Sequence, residues 1–338
     1  MLDIEEYEAV FQDDSDPSNE GKLLEYTEGI SYEIHNSQHL LGGKTFFERL
    51  LELLKIKWRK IYPPKGDKQL RELHKRIVES ASPLHYKHCL FFYILKDLSP
   101  SYHGRTELAA GFARAVHLEK RFWTFIEGLW NLDHLMFDTA VASLTHPSII
   151  QQFPDEIILT LLNRQHYGAE VAENDVLPLA YYNCAKPPLL KEDAKVEFVK
   201  YMADRNITET FYWIRARPNF EHKQLLEILV TSMLGRTSSY EKDLYSREER
   251  AIEFVSLPFD EDEEKFVEHF LTEGKGRSYS GAADTVLMRR IATGRLQEVA
   301  NDTTIKGRKH AQVNWEVLKD GVTRGLGPRN NGDSPFVV

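Results

Sequence analysis

Two cysteines in 338 residues leave no disulfide framework. Cys89 and Cys184 both fall inside apolar helical runs, the setting of buried, reduced thiols, which points to a cytosolic or nuclear compartment. No apolar run approaches the ~20 residues of a membrane span. The first residues, Met1-Leu-Asp-Ile-Glu-Glu6, are acidic and unlike a signal or transit peptide. Basic residues are almost missing from the first 39 positions, where Lys22 stands alone against eleven Asp and Glu. The whole chain carries −9, so the remainder is close to neutral and the protein reads as a near-neutral body with an acidic arm over residues 1–43. Such an arm repels nucleic acid and suits a basic partner surface; a solvated leader fits the same composition.

Signatures of chemistry are missing too. Gly43-Lys44-Thr45 ends like a phosphate-binding loop, but the glycine needed five residues earlier is Gln38 and no strand precedes it. His85 and His88 with Cys89 lack a completing ligand pair nearby. None of the thirteen histidines has a Glu three residues before it, as a di-iron helical bundle requires. Asp260-Glu-Asp-Glu-Glu264 looks like an acidic metal motif, yet negative charge is favoured at any helix start by about 0.3–1 kcal/mol per group. Its second half is also missing, with Ile305 where a hydroxyl ligand is wanted. There is no Gly-x-Ser-x-Gly. The expectation is no enzyme, no catalytic, metal or cofactor site, and no small-molecule substrate.

What the sequence does have is helical periodicity. Phe122, Phe125, Ile126, Leu129 and Leu132 form one apolar stripe, widened by Trp123 and Trp130. Gly128 sits among these bulky residues although it costs a helix about 1 kcal/mol relative to Ala, which predicts a close approach by another backbone. Phe125, Gly128, Leu129, Trp130, Leu132, Asp133 and Phe137 thus read as a structural core motif, with Asp133 capping the helix that carries Phe137. Thr45 and Glu48 form a capping box before Leu50, Leu51, Leu53 and Leu54. Ser82-Pro83 predicts a helix start with proline in its first position, and Asn206 and Asp260 predict two more starts. A helix over 106–117 and starts near Lys191, Glu221 and Glu241 complete the pattern. Elements of about 10–15 residues joined by short turns predict an all-α fold, an irregular stack of antiparallel helical hairpins with a solenoid-like look and no fixed repeat.

The order of these motifs carries a resemblance. Gly128-Leu-Trp-Asn-Leu-Asp133, Phe137, Leu144-Thr-His-Pro147 and Phe153-Pro-Asp-Glu-Ile-Ile158 resemble the hallmark run of the ELYS-like domain, a nuclear pore complex assembly family. Phe46-Phe-Glu-Arg-Leu-Leu51 with Tyr62-Pro-Pro-Lys65 is similar to its opening. Leu179-Ala-Tyr-Tyr182 with Lys186-Pro-Pro-Leu189 is similar to its middle, and Phe211-Tyr-Trp-Ile-Arg215 to its later part. The family's large animal members add a β-propeller and a chromatin-binding tail; this chain resembles the compact fungal members, which have the helical block alone. The resemblance implies a non-enzymatic scaffold nucleoporin on the Y-shaped outer-ring subcomplex, beside its long-arm β-propeller subunits. It implies a place at the nuclear envelope, serving pore assembly and the mRNA and protein transport that depend on it.

On this reading residues 44–273 are the helical ELYS-like domain and residues 274–338 a partner-binding segment, disordered in part or ordered by contact. Candidate contact residues are Asp284, Leu287, Met288, Arg289, Arg290, Arg295 and Trp315, apolar and basic where the chain lacks a core of its own. Removing 275–338 is then expected to leave helical content nearly intact. The alternative is a nucleic-acid or chromatin binder, because Lys275 to Lys309 carries a local balance of +5. Tyr279 alone is aromatic there, too little for a base-stacking platform, so a protein partner is preferred.

Overall fold

Thr45, Asn206 and Asp260 start helices where their side chains predict. The structure, a computed structural model, describes residues 2–12, 23–99, 108–167, 175–235, 247–295 and 298–299. Among the described residues the regular elements are all helical, and one isolated bridge joins Gln12 to Leu23. The fold is all-α. In chain order the helices are α1 (Tyr7–Phe11), α2 (Glu28–Leu40), α3 (Phe46–Leu53), α4 (Asp67–Glu79), α5 (Leu84–Leu98) and α6 (Leu108–Ala115). Then come α7 (Lys120–Asp133), α8 (Phe137–Leu144), α9 (Pro154–Leu162), α10 (Leu177–Ala185) and α11 (Glu192–Ala203). The last five are α12 (Ile207–Arg215), α13 (Asn219–Gly235), α14 (Arg247–Val255), α15 (Glu261–Thr272) and α16 (Ala282–Ala292). They form two compact units, residues 1–194 and 195–338, with the division inside α11. It coincides with neither expected boundary, at 43/44 or 273/274.

Local chemistry sets most of these ends. The Thr45 side chain accepts from the Glu48 amide while Glu48 accepts from the Thr45 amide, the reciprocal box that starts α3. Asp260 and Glu263 repeat it at α15, and the Asn206 side chain accepts from the Glu209 amide at α12. Ser82 is not the cap of α5: Pro83 takes that place with extended backbone, and Leu84 is the first helical residue. The helix expected over 106–117 is Leu108–Ala115 among the described residues, and the start expected near Glu241 lies outside them.

In unit 1 the core is built on α5 and α7. Every residue of α5 from His88 to Leu95 is buried, so the helix has little face left for water. α7 buries Phe125, Ile126, Leu129 and Leu132 against it and folds back through Leu135, in the left-handed region, onto α8. The described part of the expected acidic arm is not loose. Tyr7, Val10 and Phe11 are buried, with Phe11 edge-on to Phe91 at 6.2 Å between ring centroids. Leu24, Tyr26, Ile30 and Ile34 are buried as well, so the apolar face of this acidic stretch finds its partner in unit 1 itself. In unit 2 the Phe259 ring lies 5.3 Å from that of Phe211 and 5.4 Å from that of Phe254 between centroids. α16 packs on α15 and α14, burying Val286 and Leu287. Removing it would uncover that core, contrary to the expectation of a separable tail.

Candidate functional site

Asp133 ends α7 but does not cap the helix that follows. Met136 occupies that position without a side-chain bond. Instead the Asp133 carboxylate reaches back across the chain to the start of α3. It accepts from the amides of Phe46 at 2.7 Å and Phe47 at 3.0 Å, and from the Tyr93 hydroxyl of α5 at 2.7 Å. One side chain therefore satisfies two open amides of α3 and pins three helices together. One turn earlier on α7, Trp130 donates its indole N–H to Asp97 at 2.7 Å, and Asp97 also accepts from Tyr26 at 2.7 Å and Tyr62 at 3.4 Å. Both carboxyls are fully enclosed. Burial pushes each up to about 7, against the pull of these donors toward the ionised form.

His134 stacks on the Trp130 ring at 3.9 Å between centroids, and burial lowers its pKa. Gly128 is crowded, but by a side chain and not by backbone. A Cβ there would sit 2.6 Å from Cγ of Leu144 on α8. The sequence-predicted core residues Phe125, Gly128, Leu129, Trp130, Leu132, Asp133 and Phe137 are all buried in unit 1.

The candidate contact residues of the C-terminal segment are placed differently. Leu287 and Arg289 are buried inside unit 2. Arg289 donates to Glu264 at 2.8 Å and to the carbonyls of Val255 (2.7 Å) and Leu257, and its guanidinium lies over the Phe259 ring. Arg290 pairs with Glu268; Arg295 pairs with Glu264 and Glu268 at 2.8 and 2.9 Å and with Glu298. Asp284 opens α16, Met288 is exposed, and Trp315 lies outside the described residues. Sequence reading missed these pairs, although Glu264 and Glu268, four apart on α15, are complementary to the arginines of α16. The acidic run is thus a set of anchors: Glu263 holds Arg215 while Glu264 and Glu268 hold the arginines at and beyond α16.

Other chemical candidates are likewise engaged in structure. Lys44 pairs with Glu52, beside the Thr45 cap. His85 packs on Tyr86 and Phe122, and His88 is buried against Phe112. Burial pushes the Cys89 thiol up to about 12, so it is an inert thiol at neutral pH; Cys184 is exposed. Among the described residues no group of three or more His, Cys, Asp or Glu could hold a metal, and no helix is long and apolar enough to cross a membrane.

One concave surface of unit 1 remains without an internal role. A groove of about 410 Å³ lies between α3, α5 and α7, with Ile150 and Gln152 also in its lining. Leu50, Leu53, Tyr86, Phe122, Phe125 and Ile150 give it an apolar lining; Arg121 and Gln152 are among its polar groups. Its rim stands in water: Ile150 is 70% exposed and Leu53 53%. No single motif announces this groove, because its walls come from three helices far apart in sequence.

A family model described as ELYS, nuclear pore complex assembly, matches residues 44–274 of this chain, from the Thr45 cap through α15. The chain belongs to the ELYS family. The matched stretch contains the Asp133 and Trp130 network and the groove, while α1, α2 and α16 lie outside it. A Schizosaccharomyces pombe (strain 972 / ATCC 24843) protein described as "Uncharacterized protein ely5" is 31% identical over 107 residues, which is 32% of this chain and 33% of that protein. The chain thus matches about a third of the length of this curated relative. ELYS membership ties the chain to nuclear pore complex assembly.

Proposed function

We propose that this chain is a scaffold or adaptor nucleoporin that docks on the Y-shaped outer-ring subcomplex of the nuclear pore, next to its long-arm β-propeller subunits. The observation that carries this reading is the ELYS match over residues 44–274, spanning a helical block whose charged and polar side chains hold its own helices together. A block of this kind offers surfaces to partners. Pore assembly, and the mRNA and protein transport that depend on it, would be served through those contacts. Exposed Met288 and the outer face of α16 are part of the proposed docking surface, together with the segment carrying Trp315. The nucleic-acid reading is weaker, because Arg289, Arg290 and Arg295 are neutralised by carboxylates within unit 2. Affinity purification of the tagged chain tests the proposal. Outer-ring nucleoporins should co-purify and the chain should ring the nucleus by fluorescence; a diffuse signal with no nucleoporin enrichment would refute it.

A further inference from the structure

The groove between α3, α5 and α7 has the form of a socket for apolar anchors. Its volume lies within the ~300–1,000 Å³ typical of binding pockets, but such pockets fix small ligands with several convergent polar groups. Here the polar groups are few, Arg121, Gln152, the Tyr86 hydroxyl and the Cys89 thiol, among apolar residues. That balance suits an amphipathic helix, which seats side chains three or four apart in an apolar trough and needs few directional bonds.

The stretch that follows the groove in sequence carries the opposite sign to the whole chain. Directly after Leu54, a lining residue, come Lys55, Lys57, Arg59 and Lys60, all exposed, and none has a carboxylate within ion-pair distance among the described residues. Arg121 adds a cation to the wall itself, shared with Glu119 at 2.8 Å. Lys120 lies over Trp123 on the same helix. The carboxylates nearby in sequence, Glu52 and Glu119, are already paired, with Lys44 and Arg121.

We propose that this groove receives an acidic amphipathic helical segment of another protein, its apolar face between Leu53 and Ile150 and its carboxylates toward Arg121 and the 55–60 loop. The proposal rests on the reading of the chain as a docking scaffold and names the chemistry of one partner segment. The chain's own acidic amphipathic helix shows the same mode elsewhere in unit 1. α1 buries Tyr7, Val10 and Phe11, while Arg71 holds Glu8 at 2.9 Å and covers the Tyr7 ring. That helix is therefore already engaged and is not the occupant.

The test places a photo-reactive benzoylphenylalanine at Leu53 in the full-length tagged chain in cells, with the cross-linked peptides sequenced. Expected adducts join a segment of another protein with apolar residues three or four apart flanked by Asp or Glu. Their yield should fall at least about tenfold, or ~1.4 kcal/mol, in an Arg121→Glu background, and persist with Arg121→Lys. Both backgrounds should keep the parental melting temperature, since Arg121 is exposed. Adducts to lipid, to this chain or a second copy of it, or to a segment without carboxylates overturn the proposal, as does no adduct or a yield indifferent to Arg121→Glu. Outer-ring nucleoporins that still co-purify when cross-linking fails leave the scaffold reading standing and remove only the groove. Loss of every nucleoporin from the purification removes the scaffold reading.

Discussion

Gly128 has no room for a methyl group, because a Cβ would meet Cγ and Cδ2 of Leu144 at 2.6 and 2.7 Å. Gly128→Ala should therefore lower stability by about 1–3 kcal/mol, the usual range for overpacking. Leu144→Ala in the same chain should return part of that loss, giving a coupling of roughly 0.5–3 kcal/mol in a double-mutant cycle followed by denaturant melts. Additive effects would mean that the two residues do not share this space. At the same scale, Asp97 makes stability depend on pH. Burial holds its carboxyl up at about 7, whereas the unfolded side chain titrates near 3.8. Between those values the native chain keeps a proton that the unfolded chain has released. The contribution of Asp97 is then full below about pH 4 and is lost as pH rises through about 7. Asp97→Asn removes that slope, so the melting-temperature advantage of wild type over variant should shrink from pH 4 to pH 7. An advantage that stays flat or grows would contradict the burial. Crowding at Gly128 was legible in the sequence, since a glycine among Phe125, Leu129 and Trp130 needs a steric reason. That the neighbour is the Leu144 side chain was not, because the turn through Leu135 that brings α8 back lies between them.

The ends of helices show which signals act locally and which at long range. Caps within four residues of their targets, Thr45 with Glu48 and Asp260 with Glu263, are written in the sequence and found in place. Asp133 is different. Its position at the end of α7 predicts a cap for α8, but its targets are the amides of Phe46 and Phe47, which only the packed structure brings near. Asp133→Ala would leave both amides and the Tyr93 hydroxyl without their acceptor. A loss of about 3 kcal/mol is expected, as each buried unpaired group costs about 1–3 kcal/mol. Hydrogen exchange at Phe46 and Phe47 should accelerate beyond that of α5; unchanged protection would place the cap elsewhere. The second element-scale prediction concerns α16. Its helical pattern was legible, but its basic residues looked available to partners because their counter-ions, Glu264 and Glu268, sit on a different helix. Truncation after Gly274 removes Leu287 and the Arg289 contacts to Glu264, Val255 and Leu257, so residues 195–274 should melt at lower temperature and lose circular-dichroism helicity. A truncated chain with parental melting would contradict the packing of α16.

For the whole molecule, composition foretold an all-helical chain with its acidic residues concentrated at the front. It did not foretell that the described front packs into unit 1, because a short apolar set such as Tyr7, Val10 and Phe11 looks the same whether it meets its own chain or another. Surfaces open to partners among the described residues include the groove of unit 1, with its exposed Leu53 and Ile150, and exposed residues of unit 2 such as Met288. On the proposed function, this ELYS-family chain works by contact with nucleoporins while its buried polar groups hold its interior together. The most direct measurement is quantitative mass spectrometry of proteins purified with the tagged chain, comparing wild type with a Leu53→Asp, Ile150→Asp double variant of matched melting temperature. Outer-ring nucleoporins should co-purify with the wild type, and the directly docked subunit should fall at least about tenfold with the variant. Wild-type protein that brings down no nucleoporin at all would contradict the proposed function.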